Sequence, residues 1–355
     1  MKPRERRYVI LRDLVELYTK TRKPVSSTEL VKEYGYRWCS ATVRNDLAAL
    51  EREGYIYKPF PSSGRVPTAK GFRFYARWIL KSLRSHGEVA ERALEGLGRA
   101  FEGIASLLAH PTTLDIWKEA AAFIASLASQ MGFIISPDIG SLRIARAVLV
   151  RTGEQEVSLH LLTEGELSEK FPIRLPQRVS DAELKEAEEA LEDILKGRTL
   201  KDARTIMEER GLRARKFSWI VEEILKALGR ENRKVYLSGL EYLSEAIRAG
   251  CDIKPLFRVI GDERLFMELV LESRPEHKGI EVRVGDFPVK GLEEFALVSA
   301  DFYKGMGVLG TFGPMWLDYS KAISAVELIA RALSAYTAAG PTSAASSPSG
   351  QSQPQ

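Results

Sequence analysis

The sequence predicts an α+β protein with a winged helix-turn-helix head at its N-terminus and a β-rich body interrupted by a helical insertion. Three observations carry this. Within residues 26–75 a capped helix, a tight turn and a second helix run straight into a basic, glycine-punctuated hairpin. Strand-like segments at 133–175 resume only at 280–312, after a charged and mostly helical stretch. Charge is also unevenly placed: residues 1–85 hold 19 Lys+Arg against 8 Asp+Glu, or +11, leaving 33 against 40, or −7, for the rest of a chain of net +4.

The head is read helix by helix. Residues 6–19 form an amphipathic helix burying Ile10, Leu14, Leu17 and Tyr18. Ser26 with Glu29 fits a capping box, Leu30, Val31 and Tyr34 share one face, and Gly35 stops the helix. Ser40 is the expected N-cap of the next helix, where Val43, Leu47 and Leu50 point inward. Its opposite face carries Ala41, Asn45 and Ala48, flanked by Thr42 and Arg44. That face is small enough to approach a groove floor and polar enough to bond base edges.

Beyond Gly54, residues 55–58 alternate as a strand, 59–64 are dense in turn formers, and Arg65-Val66-Pro67 begins the return. Ser62, Ser63, Arg65 and the Gly64 amide at this wing suit phosphate or minor-groove contact. Thr68 then caps a long helix through Phe72, Tyr75 and Ile79. The residues expected to touch DNA are Ser40, Thr42, Arg44 and Asn45 on the second helix, Lys58, Ser63 and Arg65 on the wing, and Lys70 and Arg73 after it.

A basic head on an acidic body calls for a polyanion partner whose affinity falls steeply with salt. With 355 residues at 45% hydrophobic content there is room for two or three domains. Cys39 and Cys251 are far apart and lack metal-ligand spacing, which excludes a disulfide framework and points to a reducing cytoplasm. No unbroken apolar run suits a signal peptide or a membrane span, so neither secretion nor membrane insertion is expected.

Residues 69–109 read as helical with a break at Ser85-His86-Gly87 and lead to an alanine-rich helix at 114–129, a region expected to connect and dimerise. Four strands, 133–136, 142–151, 156–162 and 167–175, are expected to form one antiparallel sheet. Helices at 181–195 and 200–210, a strand at 235–238 and helices at 239–249 and 261–272 follow. Strands at 280–284, 296–303 and 307–312 and a helix at 319–336 complete the body. The Ser/Pro/Gly/Gln/Ala tail, 338–355, is expected to be disordered.

Other chemistry is thin. Gly305-Met306-Gly307-Val308-Leu309-Gly310 matches G-x-G-x-x-G, but it lies between two apolar β-like runs rather than before a helix, so it reads as a turn in an antiparallel hairpin. His86, His110, His160 and His277 are scattered and form no metal motif. Acidic runs such as residues 186–189 sit at helical spacing beside Lys185 and Lys196, as a solvated face does. No catalytic residue, metal or cofactor is expected, and the chain does not read as an enzyme.

Three stretches in the head carry a resemblance: Lys23-Pro24-Val25-Ser26-Ser27, the helix at 40–47, and the run Gly54-Tyr55-Ile56-Tyr57 through Ser63-Gly64-Arg65-Val66-Pro67-Thr68 to Tyr75. Three more lie in the body: Val282-Arg283-Val284-Gly285, Gly310-Thr311-Phe312-Gly313-Pro314 and Leu317-Asp318-Tyr319. Together they closely resemble the HrcA family of bacterial heat-inducible transcription repressors. The resemblance implies a winged-helix head (1–85), a helical connector (86–130), a GAF-like domain (131–176 with 276–337) and an inserted dimerising domain (177–275). It also implies a homodimer on double-stranded DNA, at the inverted-repeat CIRCE operator of chaperone operons, with the chaperonin GroEL helping the repressor reach its active form. Departures from the family pattern are Phe60, where a histidine is usual, and residues 286–288 and 315–316. An alternative reading is a one-component regulator whose GAF-like domain senses a small molecule.

Overall fold

The computed structural model describes residues 2–85, 116–164, 168–209, 218–228, 233–271 and 279–339. These fall in two compact units, one built from residues up to 135 with 235–331, the other from 136–234 with the end of the last helix. The chain is α+β.

The first unit begins with α1 (Pro3–Thr21), α2 (Ser27–Tyr34) and α3 (Ser40–Arg52). Ile10, Leu11, Leu14 and Val15 of α1 meet Leu30 of α2 and Val43, Leu47 and Leu50 of α3 in a fully buried core, with Leu17 and Tyr18 only half-buried. Two short strands, β1 (Ile56–Tyr57) and β2 (Val66–Pro67), pair antiparallel with Ile56 opposite Pro67. Then α4 (Ala69–Ser85) starts under the Thr68 hydroxyl, which accepts from the Gly71 amide at 3.3 Å.

The same unit holds a five-stranded antiparallel sheet in the order β7-β3-β10-β9-β8, made of β3 (Met131–Ile135), β7 (Val235–Ser238), β8 (Glu281–Val284), β9 (Phe295–Phe302) and β10 (Gly307–Pro314). Every residue of β3 and β10 is buried, as expected of central strands covered on both faces. The glycine motif falls where the sequence reading placed it, at the β9–β10 hairpin, with Gly305 at φ +85° in the turn. The helix α5 (Ile116–Ala128) lies on β3 and β7 and buries Trp117, Ala121, Ile124 and Ala125. It covers the sheet.

Three short helices, α9 (Ser244–Arg248), α10 (Lys254–Ile260) and α11 (Glu263–Leu271), complete this unit before α12 (Tyr319–Ala339) closes the chain. Arg283, nearly buried, donates from its guanidinium to the carbonyls of Leu269 (2.9 Å) and Val270 (3.1 Å). It thereby satisfies two acceptors that the end of α11 would otherwise leave open.

The second unit holds β4 (Ile144–Arg151), β5 (Glu156–Thr163) and β6 (Ser168–Arg174), a separate antiparallel sheet with β5 central. Along β5, Val157, Leu159, Leu161 and Thr163 are buried and their neighbours are not, so one face is covered. The helix α6 (Asp181–Leu195) lies against β4 and buries Leu184, Ala187, Leu191 and Leu195, with α7 (Leu200–Glu209) and α8 (Ser218–Ala227) beside it.

Two expectations are therefore corrected. The four strands of 133–175 do not share a sheet, because β3 pairs with β10 and β7 while β4–β6 pair among themselves. The segment interrupting the first unit is 136–234 rather than 177–275, since β7 and α9–α11 belong with the five-stranded sheet. Ser85 is the last residue of α4, and the rest of the expected break (86–87), most of the connector (86–115) and nearly all of the tail (340–355) lie outside the described residues.

Candidate nucleic-acid interface

Helix α3 is fixed from both sides. Ahead of it, the capping box is present: Glu29 N–H donates to Ser26 Oγ (3.2 Å) and Ser26 N–H to Glu29 Oε2 (2.7 Å). Gly35 closes α2 at φ +60°, a left-handed turn that its lack of a Cβ allows. Beneath α3, the Arg6 guanidinium grips the buried Asp46 carboxylate through two donors, at 2.6 and 3.3 Å. A second buried carboxylate, Asp13, accepts from the Tyr36 hydroxyl at 2.5 Å and pairs with Arg12, anchoring the turn between α2 and α3 to α1.

With Val43, Asp46, Leu47 and Leu50 turned inward, α3 exposes Ala41, Arg44 and Asn45. Arg44 and Asn45 lie where the sequence reading put them. Thr42 is half-buried, and its hydroxyl lies 3.4 Å from the thiol of Cys39. That contact, and the amides of the first turn, hold the Cys39 thiol below its ordinary range. Cys39, not Ser40, occupies the N-cap, and Ser40 is the first residue of the helix. The Ser40 hydroxyl lies 3.0 Å from that of Ser27, tying α3 to α2 instead of facing outward.

On the wing most of the expected contacts have internal work. Ser63 Oγ donates to Phe60 O (2.8 Å) and accepts from Phe60 N–H (3.1 Å), while the Ser63 amide also reaches Phe60 O (3.0 Å). The Lys58 ammonium donates to the Pro61 carbonyl across the same turn. Arg65 is 14% exposed, its Nε lies 3.4 Å from Glu51 of α3, and its backbone bonds Val25 in both directions. Lys70 keeps an exposed side chain, although its ammonium donates to Glu53 O (2.7 Å) and lies 4.4 Å from the centre of the Tyr55 ring. Arg73 donates to the Val284 carbonyl at 2.8 Å and so ties α4 to the end of β8. Ser40, Arg65 and Arg73 thus hold the head together or hold it to the sheet, because each is committed to a partner distant in sequence, while Ser63 braces its own turn.

Helix-face periodicity did not single out Arg37, which lies in the turn before α3 and is exposed. Its signal was positional, since a cation beside the first turn of a reading helix stands where a phosphate strand passes. Among the described residues no group of three or more His, Cys, Asp and Glu side chains could hold a metal ion. Nor is any described helix long and apolar enough to cross a membrane.

Residues 115–323 match the family model described as the HrcA protein C terminal domain. The chain is 31% identical over 309 residues to the heat-inducible transcription repressor HrcA of Thermotoga sp. (strain RQ2), spanning 86% of this chain and 85% of that one. The chain belongs to the HrcA family. Another HrcA, from Acidothermus cellulolyticus, is 30% identical over 345 residues, covering 92% of this chain and 96% of its own length, and so extends the likeness through the head. A crystal structure described only as that of a hypothetical protein has the same fold, with a TM-score of 0.62 and 27% identity over 94% of this chain and 98% of that one. In HrcA-family terms, Arg283 and Gly285 of the Val282–Gly285 stretch have structural roles here. Arg283 closes α11, and Gly285, at φ +63°, lets β8 approach α4 so closely that an added Cβ would come within 3.0 Å of the Ala69 Cβ.

Proposed function

We propose that the chain is a DNA-binding transcription repressor of heat-shock chaperone operons, acting in the cytoplasm as a homodimer on the inverted-repeat CIRCE operator. The observation that carries this is the exposed Arg44–Asn45 face of α3, mounted on a head of charge +11. In the major groove Arg44 suits guanine O6 and N7, and Asn45 suits adenine N6 and N7. Two heads related by a twofold axis match an inverted repeat, and the 136–234 unit is the proposed source of the dimer contact.

Arg44→Ala and Asn45→Ala should each cost about 1–3 kcal/mol of operator affinity and relax preference at one position of each half-site. Arg37→Ala should weaken operator and random DNA alike and flatten the slope of log affinity against log salt by about one per head. Titration of operator variants at several salt concentrations separates the two classes. Equal loss on operator and random DNA for Asn45→Ala would remove its base-reading role.

Control is proposed to run through folding and GroEL rather than through a metabolite. The central strands of the sheet are filled by packed rings, Phe133, Phe295, Phe302 and Phe312 among them, which supports this choice over small-molecule sensing. A chaperonin that rescues non-native chains raises the concentration of binding-competent dimer without touching the operator contacts. Purified protein should lose operator binding on mild heating and recover it with GroEL and ATP. Recovery driven by a metabolite at constant temperature, indifferent to GroEL, would reverse the choice.

A further inference from the structure

We propose that Phe60, at the tip of the wing, is an apolar wedge for the DNA minor groove, inserting its ring against a base step beside the site that α3 reads. The inference rests on the DNA-binding reading above and adds to it a contact made without charge. A lone exposed aromatic is ordinary on a protein surface. Three observations set Phe60 apart.

Phe60 is 70% exposed on a basic head whose other large apolar residues are mostly buried or half-buried, and Tyr57 on the same hairpin is 47% exposed. The turn that carries it is rigid: Phe60 N–H, Phe60 O, Ser63 Oγ and the Ser63 amide bond one another, and Lys58 closes onto Pro61 O. A tip held in one conformation meets a ligand with little ordering cost. Finally, the wing's cations are engaged: Arg65 lies against Glu51 and Lys58 on Pro61, and Lys70, at the start of α4, lies on Glu53. What the tip presents is Phe60, Pro61 and Ser62, all exposed. The hairpin leaves α3 through Gly54 and is tied back to that helix by Arg65–Glu51, so the tip is carried alongside any duplex that α3 engages. Phenylalanine is among the side chains that enter the minor groove and part a base step. The step it favours is therefore a flexible pyrimidine–purine one.

The test uses the full chain and CIRCE duplexes carrying 2-aminopurine at successive positions, whose fluorescence rises when a base unstacks. The intact protein should raise the signal at one step per half-site. Phe60→Ser should abolish that rise and cost about tenfold in affinity, as expected for losing one buried aromatic ring, with an unchanged salt slope. Phe60→Leu, still apolar, should stay within about threefold of the parent. No fluorescence rise at any position with the parent protein overturns the wedge, and this readout does not depend on how the variants fold. Phe60→Ser binding as tightly as the parent, or losing affinity together with salt slope, also overturns it. If the parent protein ignores the duplex altogether, the DNA-binding reading itself fails.

Discussion

Tyr319→Ala should lower the stability of the head-bearing unit by about 3–5 kcal/mol, the range for truncating a fully buried aromatic side chain. Tyr319 opens α12 with no exposed surface. Its ring centre lies 6.3 Å from that of Phe72 and 6.2 Å, edge-on, from that of Tyr75, both on α4. The hydroxyl donates to Met315 O at 2.6 Å, one turn back. Tyr319→Phe keeps the ring and loses only this bond, so it should cost about 1 kcal/mol. Beside this joint, Arg73 reaches Val284 O, while Arg22 donates to Trp316 O (2.6 Å) and lies 3.3 Å from Glu245. The polar links are partly exposed and individually weak, and the fully buried Tyr319 ring adds an apolar tie between α4 and the start of α12. Tyr319→Ala should therefore uncouple the head, giving two melting transitions where Tyr319→Phe gives one. A single transition in Tyr319→Ala, shifted by less than that of Tyr319→Phe, would assign the ring no such role.

The head was legible because its signals are local. Ser26 and Glu29 sit three residues apart, Gly35 ends the helix they begin, and Val43, Leu47 and Leu50 mark the inner face of α3 by spacing alone. The roles of Arg65 and Arg73 were not legible, since a guanidinium free for phosphate and one bonded to a carbonyl 211 residues away look the same in sequence. The sheet shows the same divide. Strand segments were found, but β7 pairs with β3 across a hundred residues of chain that fold elsewhere, and no local pattern encodes that closure. A clue did exist in burial: β3 is apolar without alternation, whereas β5 alternates. A strand covered on both faces and one covered on a single face belong to different environments.

Alkaline pH should dismantle this same joint, with a steep dependence. Tyr75 is 7% exposed and Tyr319 fully buried, and burial pushes both hydroxyls well above the ordinary tyrosine range, because a phenolate among aromatic rings would lose its water. In the unfolded chain each phenol ionises near pH 10. Above that pH the unfolded state binds fewer protons than the native one, so stability falls as pH rises. The contribution is fully present below about pH 10 and is lost as pH climbs toward the folded values. Each phenol contributes a limiting slope of about 1.4 kcal/mol per pH unit. Tyr36, bonded to Asp13, and Tyr34 are shifted in the same direction and steepen the fall further. Replacing one phenol isolates its share: over pH 10–11.5, where the unfolded phenol goes from half to nearly fully ionised, Tyr319→Phe should lose stability about 1.1 kcal/mol per pH unit more slowly than the parent protein. Urea midpoints measured across that interval, with phenolate absorbance followed on the same samples, give both slopes. Parallel slopes for the two proteins, or phenolate absorbance from every tyrosine before the chain unfolds, would show that Tyr319 is not held neutral by the fold.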